Sequence, residues 1–167
     1  MYIIKKTERI NQLIAITKSD SGISGPSLAK AHMELGKMLG EQMRGFIPAE
    51  TTIVAILRGG IFFAEGMYFQ MGCRFQTYDP KHEVFTRPAT KNVILVDSVI
   101  NTGRTLLNIF EEDMSVACCV INQKAVPYFN DHLFTIRISQ NSFVGQNIPR
   151  QIDHAGPDTT MRLFNIL

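Results

Sequence analysis

One stretch of the chain carries an aspartate, hydroxylated residues and a glycine soon after an apolar run. The apolar residues Val93–Val96 precede Asp97, and Asn101–Thr105 follow with the sequence Asn-Thr-Gly-Arg-Thr. Threonine hydroxyls and the unpaired backbone N–H groups at the start of a helix can bind an anion, and Gly103 lets a phosphate approach the backbone. A carboxylate beside such a loop can accept hydrogen bonds from ligand hydroxyls. The stretch therefore predicts a site for a phosphate-bearing ligand.

The elements that would position these residues are a buried strand and a helix. Four consecutive apolar residues are typical of a strand buried on both faces of a parallel sheet, and Asp97 is predicted to end it. Leu106, Leu107 and Phe110 repeat at helical spacing, so a helix is predicted after the loop. The stretch contains neither the Walker G-x-x-x-x-G-K-[ST] pattern nor the dinucleotide-binding G-x-G-x-x-G pattern. The phosphate would therefore be held by a loop of another kind.

A second strand–loop–helix unit lies upstream of the first. The apolar run Ile53–Leu57 leads into Arg58-Gly59-Gly60, and an apolar helix is predicted over Ile61–Phe69. In open parallel sheets, ligands bind beyond the carboxyl ends of the strands, so both loops should face one crevice. The Arg58 guanidinium can pair with a diphosphate, and two glycines leave the backbone unobstructed.

The remaining apolar patterns predict an α/β fold, in which a mostly parallel central sheet is flanked by helices within a single domain over residues 1–167. The N-terminal region, with apolar residues between positions 10 and 16, is predicted to form a short helix or an extended arm at a subunit contact. The other predicted elements are a helix over 27–44, strands over 73–78, 116–121 and 133–138, and a short helix near 127–131.

Composition narrows the class of protein. The 167 residues suffice for a substantial core, and 45% hydrophobic with 19% charged residues is an ordinary globular balance. A net charge of +2 gives no reason to expect a nucleic-acid partner, and no apolar run approaches the roughly 20 residues that span a bilayer. The N-terminus does not resemble a secretory signal, and Cys73, Cys118 and Cys119 lack a C-x-x-C spacing. Reduced thiols in a cytoplasmic protein are the expectation.

Together, the two loops resemble those of the type I phosphoribosyltransferases. In that family an apolar strand, an acidic residue and T-G-x-[ST] bind the ribose 5-phosphate part of phosphoribosyl diphosphate, and a loop similar to L-R-G-G binds the diphosphate. The resemblance implies that Asp97 bonds the ribose hydroxyls and that Asp97 and Arg58 are the catalytic residues. The implied ligands of phosphoribosyl diphosphate are Arg58, Gly59, Gly60, Asp97, Ser98, Asn101, Thr102, Gly103, Arg104, Thr105 and Asp153.

The C-terminal residues are similar to the end of the uracil phosphoribosyltransferases, an I-P-G-x-G-D-A-G-D-R-[LI]-F-G-like string. The matching residues are Ile148, Pro149, Asp153, Ala155, Gly156 and Arg162–Phe164. The resemblance implies that Ile148, Ala155 and Gly156 contact the base. Arg150 and Ile152 replace glycines of the string, His154 is an additional residue, and Pro157–Met161 lengthens the segment.

A polar segment between the predicted strands, Asp79–Asn92, stands where the family has a mobile hood over the diphosphate. It is short here and contains Pro80 and Pro88. Lys81 and Arg87 would supply the charge of a hood, or the segment is a solvated loop.

The implied activity is transfer of ribose 5-phosphate to a nucleobase, with uracil favoured, to give UMP and diphosphate. Mg²⁺ is expected to be chelated by the substrate, with no metal ligand assigned in the chain. The expected partners are phosphoribosyl diphosphate, a nucleobase and further copies of the chain in a homodimer or higher homo-oligomer, with no membrane and no nucleic acid. Two alternatives stay open: a transferase for a purine or another heterocycle, and a regulator or RNA-binding attenuator that binds phosphoribosyl diphosphate on the same fold.

Overall fold

The computed structural model describes residues 1–48, 50–146, 151–153 and 155–166. Its strands are β1 (Tyr2–Ile3), β2 (Thr51–Ile56), β3 (Arg74–Tyr78), β4 (Asn92–Ile100), β5 (Ser115–Asn122), β6 (Leu133–Ser139), β7 (Ser142–Gln146) and β8 (Ala155–Pro157). Its α-helices are α1 (Glu8–Thr17), α2 (Gly25–Met43), α3 (Ile61–Met71), α4 (Arg104–Leu107) and α5 (Thr159–Leu163). Two stretches of 3-10 helix, Gln123–Tyr128 and Asn130–His132, lie between β5 and β6. No helix in these ranges is long and apolar enough to cross a membrane.

Six of the described strands form one parallel sheet in the order β1-β6-β5-β4-β2-β3. β4 lies between β5 and β2, with Leu95 opposite Val116 on one side and Val54 on the other. β7 and β8 pair separately, also in parallel. Because parallel strands end at one edge, the residues that follow β2, β3 and β4 meet there. The predicted α/β fold, with a mostly parallel sheet flanked by helices, is confirmed.

Both faces of the sheet are buried, as the apolar run in β4 predicts. Ile94 and Val96 belong to a cluster with α1, α2 and α3, whereas Val93 and Leu95 belong to a cluster with α4 and the residues after β5. Alternate side chains of a strand point to opposite faces, so a strand covered on both sides is apolar at every position. Leu13 of α1 is 2% exposed within the first cluster. The N-terminal region is therefore a packed helix and not an extended arm.

The sequence predicts that β4 ends at Asp97, but in the structure the strand continues to Ile100. The reason is that β5 runs on beside it and pairs Ile121 with Ile100, whereas pairing with β2 stops at Val96. Asp97 therefore lies in the last part of β4, which is paired with β5 only. The predicted helix after the loop is present as α4, but it forms a single turn and ends before Phe110.

α2 and α3 approach each other closely at two glycines. A Cβ on Gly36 would fall against the Phe63 carbonyl group, and a Cβ on Gly66 would fall against the Met33 carbonyl group. The two helix backbones are thus in direct contact, which only residues without a side chain allow. This contact fixes α3, and with it the loop that precedes α3, relative to the sheet.

Candidate active site

A cavity of about 910 Å³ opens at the edge where β2, β3 and β4 end. The residues of the two predicted loops that line it are Arg58, Gly59, Asp97, Ser98, Asn101, Thr102, Gly103, Arg104 and Thr105. The fold therefore brings both loops to one crevice, as parallel strand order predicts. Further lining residues come from the turn after β3 and from the C-terminal segment.

Asp97 lies where β4 loses its β2 neighbour, and it lines the cavity. Burial raises the pKa of Asp97 to about 7, although hydrogen bonds from the backbone N–H groups of Ser98 and Val99 act in the opposite direction. As a carboxylate, the group accepts hydrogen bonds from hydroxyl groups. Strongly perturbed pKa values in a cleft are typical of functional sites, so Asp97 is the strongest single candidate in the cavity.

The loop after β2 crosses directly over β4. The Gly60 N–H donates to the Ile56 carbonyl at 2.9 Å, and the Ser98 hydroxyl donates to the Gly59 carbonyl at 2.6 Å. A Cβ on Gly60 would lie 2.5 Å from the carbonyl oxygen of Val96, so a side chain does not fit there. Gly60 is buried beneath the cavity, and its lack of a side chain serves packing against the sheet.

Arg58 is exposed on this loop, next to the cavity. The peptide bond between Leu57 and Arg58 is cis. The guanidinium carbon of Arg58 lies 5.2 Å from the centroid of the Phe164 ring, a cation–π contact. In the described part of the chain Arg58 makes no salt bridge, so its charge is available to an anion in the cavity.

The loop Asn101–Thr105 turns at Gly103, whose φ of 75° lies in the left-handed region. A Cβ at Gly103 would lie 3.1 Å from the Phe129 ring, so the glycine serves the turn and its packing. The Thr102 hydroxyl accepts a hydrogen bond from the Arg104 N–H at 3.4 Å. Because α4 is one turn long, the helix dipole adds little here, and the loop offers chiefly N–H and hydroxyl groups.

The turn after β3 adds Asp79 and His82, which the sequence analysis does not assign to the site, beside Lys81, which it names as a possible hood cation. It lies beside the loop after β2, since the Leu57 N–H donates to the Tyr78 carbonyl at 2.8 Å. Asp79, Lys81 and His82 line the cavity, with Asp79 Oδ2 2.8 Å from His82 Nδ1. The contacts with the His82 ring and the Lys81 N–H hold the pKa of Asp79 below its usual value. Asp79 directly follows β3, and a residue in that position of a parallel sheet is expected at the edge where the cavity opens.

The rest of the segment between β3 and β4 is attached to residues outside the cavity. Arg87 pairs with Glu111 and with Asp113, and its Nη2 atom lies 2.7 Å from Asp113 Oδ2. Of the two cations predicted for a hood, Lys81 lines the cavity and Arg87 does not. Ion pairs at Arg87 therefore attach the later part of the segment to residues outside the cavity. Only its first residues, 79–82, line the cavity.

The C-terminal segment reaches the cavity through Asp158–Met161. Asp153, Ala155 and Gly156 are not among the residues that line it in the described ranges. Ile148 lies outside the described residues. The implied contact of Asp153 with phosphoribosyl diphosphate and the implied contacts of Ile148, Ala155 and Gly156 with the base therefore stay predictions. The lengthened part of the segment is the part that borders the cavity.

No protein-family model matches the sequence, and no curated protein matches it. Solved structures are similar in fold. The AQ2163 protein from Aquifex aeolicus has a TM-score of 0.73 over 99% of both chains, at 18% identity. TT1426 from Thermus thermophilus has a TM-score of 0.52, covering 80% of this chain and 96% of that chain, at 14% identity. A purine phosphoribosyltransferase from Pyrococcus horikoshii overlaps more weakly, with a TM-score of 0.48 over 68% of this chain and 86% of that chain, at 19% identity.

Proposed function

We propose that the chain is a phosphoribosyltransferase, which transfers ribose 5-phosphate from phosphoribosyl diphosphate to a nucleobase. One observation carries the proposal: a single cavity is lined by Arg58 and Gly59, by Asp97 and by Asn101–Thr105. These are the groups that the family resemblance assigns to the diphosphate, the ribose and the 5-phosphate. A cavity of about 910 Å³ has room for this substrate together with a base.

The chemistry requires positioning and stabilisation of charge. Breaking the bond between ribose C1 and the diphosphate leaves positive charge on the ribose and negative charge on the leaving group. Arg58 would pair with the leaving diphosphate, and Asp97 would hold the ribose hydroxyls. An Asp97 carboxyl oxygen lies 3.5 Å from the point that a Cβ on Gly59 would occupy. The two fragments of the broken bond would therefore be held at adjacent points.

Mg²⁺ is proposed to enter with the substrate. It prefers oxygen ligands and keeps several waters, so diphosphate and ribose oxygens can supply most of its coordination. Asp97 is the carboxyl group beside Gly59 and could add a ligand. Over the described ranges, no group of three or more His, Cys, Asp or Glu could hold a metal ion by itself. When bound, the ion would neutralise part of the diphosphate charge.

Uracil is the base that we propose, with UMP as the product. The support is the C-terminal string, in which Ile148, Ala155 and Gly156 match residues that contact uracil in the family. Backbone donors and acceptors can pair with the carbonyl and N–H groups of uracil and would leave groups unpaired with cytosine. A purine or another heterocycle is the second candidate, because Ile152 and His154 alter that string.

We further propose that the enzyme acts in the cytoplasm as a homodimer or a higher homo-oligomer. Its free thiols support the first part, since Cys118 and Cys119 are buried and Cys73 is also unpaired. The family resemblance supports the second part.

The proposal is tested by consumption of phosphoribosyl diphosphate with Mg²⁺ and a panel of nucleobases. We expect turnover with uracil and loss of turnover in Arg58→Ala, because the leaving group loses its cation. Arg9→Ala is the matched control, since Arg9 pairs with Glu34 at 3.4 Å and does not line the cavity.

The panel also separates the alternatives. Turnover with hypoxanthine or guanine, but not with uracil, would overturn the choice of base and keep the transferase. Failure of every base, with phosphoribosyl diphosphate still bound, would overturn the transferase and favour a regulator.

A further inference from the structure

The C-terminal segment contacts the loop after β2 through two of its residues. Thr160 of α5 lies over Gly59, and Phe164 lies against Arg58. The family resemblance relates this segment to the base, but both contacts meet the loop that is proposed to bind diphosphate. The segment therefore touches a second part of the substrate site.

The Thr160 hydroxyl is placed to reach a ligand on Gly59. Its oxygen lies 2.9 Å from the position that a Cβ on Gly59 would occupy, and an Asp97 carboxyl oxygen lies 3.5 Å from the same point. Thr160 lines the cavity, and its hydroxyl makes no hydrogen bond to another described residue. A hydroxyl carries one hydrogen-bond donor. That donor is available to an anion bound against the backbone of Gly59.

The Phe164 ring supports the Arg58 guanidinium. Its centroid lies 5.2 Å from the guanidinium carbon and 5.4 Å from the centroid of the Phe62 ring. Phe164 also packs against the buried cluster that contains Leu28 and Leu163. An arginine loses side-chain entropy when it binds an anion, and a fixed ring that already orders it reduces that loss.

Hydrogen bonds at both ends of α5 keep these two contacts in place. Arg162 is 3% exposed and donates to the carbonyl groups of Lys18 and Ile23 at 3.0 and 2.8 Å. The Asp158 carboxylate accepts the Met161 N–H at 2.8 Å. A group on an element held in this way is positioned more accurately than a group on a free loop.

We propose that Thr160 and Phe164 complete the diphosphate subsite. Thr160 donates a hydrogen bond to a diphosphate oxygen, and Phe164 positions Arg58 for the same group. This inference rests on the proposed function, and it gives the C-terminal segment a role in binding the leaving group as well as the base.

Calorimetric titration with inorganic diphosphate in the presence of Mg²⁺ tests the role of Thr160. Thr160→Val keeps the volume and removes the hydroxyl, so affinity for diphosphate should fall about tenfold, as for a hydrogen bond to a charged group. Thr160→Ser keeps the hydroxyl and should bind as the wild type does. Ribose 5-phosphate is the second probe, and its affinity should be the same in all three proteins because Asn101–Thr105 are unchanged.

A double-mutant cycle tests the role of Phe164. Phe164→Leu should weaken diphosphate binding severalfold, because the cation–π contact is lost. Phe164→Tyr keeps an aromatic ring and should therefore bind diphosphate as tightly as the wild type. In an Arg58→Ala background, Phe164→Leu should have no further effect, since the ring acts through Arg58. Melting temperatures show whether each variant is folded.

The failures are distinguishable. Equal diphosphate affinity in Thr160→Val and the wild type would overturn Thr160 as a ligand. A Phe164→Leu effect that persists without Arg58, or that extends to ribose 5-phosphate, would overturn its positioning role. A wild-type chain that binds neither diphosphate nor ribose 5-phosphate would overturn the proposed function itself.

Discussion

Folding favours the neutral form of the Asp97 side chain, whereas ligand binding favours its charged form. It lines the cavity, and burial raises its pKa to about 7. Burial disfavours the charged form, which is the form that accepts hydrogen bonds from ligand hydroxyls. Replacement of Asp97 by asparagine should therefore weaken binding and, at high pH, stabilise the fold.

Asp97→Asn is expected to weaken phosphoribosyl diphosphate binding by about 1–3 kcal/mol, because a neutral amide replaces a charged acceptor. Calorimetric titration at pH 8, where the wild-type carboxyl is ionised, measures the effect. Asp113→Asn is the control, since Asp113 is paired with Arg87 and does not line the cavity. Unchanged affinity in a folded Asp97→Asn protein would refute the ribose assignment.

The same variant is expected to be more stable than the wild type at pH 8 but not at pH 4. Between the usual pKa of 3.8 and about 7, folded Asp97 keeps a proton that the unfolded chain has released. Stability is therefore lost as pH rises through this window, by at most about 4 kcal/mol. Urea denaturation at both pH values measures the difference. A difference that does not change with pH would contradict the prediction.

His32 should give the opposite pH dependence. Both its ring nitrogens are buried, and neither makes a hydrogen bond to the described part of the chain. Burial, and then the charges of Arg162 and Arg137, lower the pKa of His32 from 6.5 to about 3. Between pH 6.5 and about 3, His32 of the unfolded chain binds a proton and His32 of the folded protein does not. The free energy of unfolding therefore falls as pH falls through this range. His32→Leu should lose less stability than the wild type between pH 7 and pH 4.5, and equal losses would count against this.

Elements are predictable from the sequence where their signal is local. The apolar spacing predicts a helix over 27–44, and α2 spans Gly25–Met43, because helical periodicity depends on neighbouring residues alone. The continuation of β4 past Asp97 is not predictable in this way, since it depends on pairing with β5. The position of α5 also depends on a long-range contact, because Arg162 donates a hydrogen bond to the carbonyl group of Lys18, 144 positions earlier in the chain.

Some residues of the candidate site are likewise predictable from local sequence patterns, and others are not. Arg58, Asp97 and Asn101–Thr105 follow strands of one parallel sheet, so the order of apolar runs and polar loops is enough to place them at one edge. Thr160 and Phe164 reach that edge only through packing of α5 against α2 and the end of α1. No local pattern carries that information.

The contact between α2 and α3 gives a prediction at the scale of elements. Gly66→Ala should lower the free energy of unfolding by about 1–3 kcal/mol, although alanine favours a helix, because its Cβ would fall against the Met33 carbonyl. Gly45→Ala is the matched control, since a Cβ there meets nothing within 4 Å. Urea denaturation of both variants provides the comparison. A Gly66→Ala protein as stable as Gly45→Ala would show that the helices can separate without loss.

On the scale of the whole molecule, Arg162 connects α5 to the end of α1. It is buried and donates to the carbonyl groups of Lys18 and Ile23. Arg162→Leu should lower the free energy of unfolding by about 2–4 kcal/mol, because those acceptors lose their donor. Arg9→Leu is the control, and loss of its exposed pair with Glu34 should cost less than about 1 kcal/mol. Equal stability of the two variants in urea would disprove the connecting role.

The docking of α5 also affects the order in which the site is completed during synthesis. A ribosome releases β2, β4 and both of their loops before it adds residues 158–164. Until then, Arg58 lacks the Phe164 ring and the carbonyl groups after α1 lack Arg162. Translation arrested before this segment, or arrested far enough beyond it on a C-terminal extension for the segment to leave the ribosome, would be followed by proteolysis with and without diphosphate. The comparison would show when protection begins. A nascent chain should thus reach its full affinity for a phosphate before it reaches its full affinity for a diphosphate.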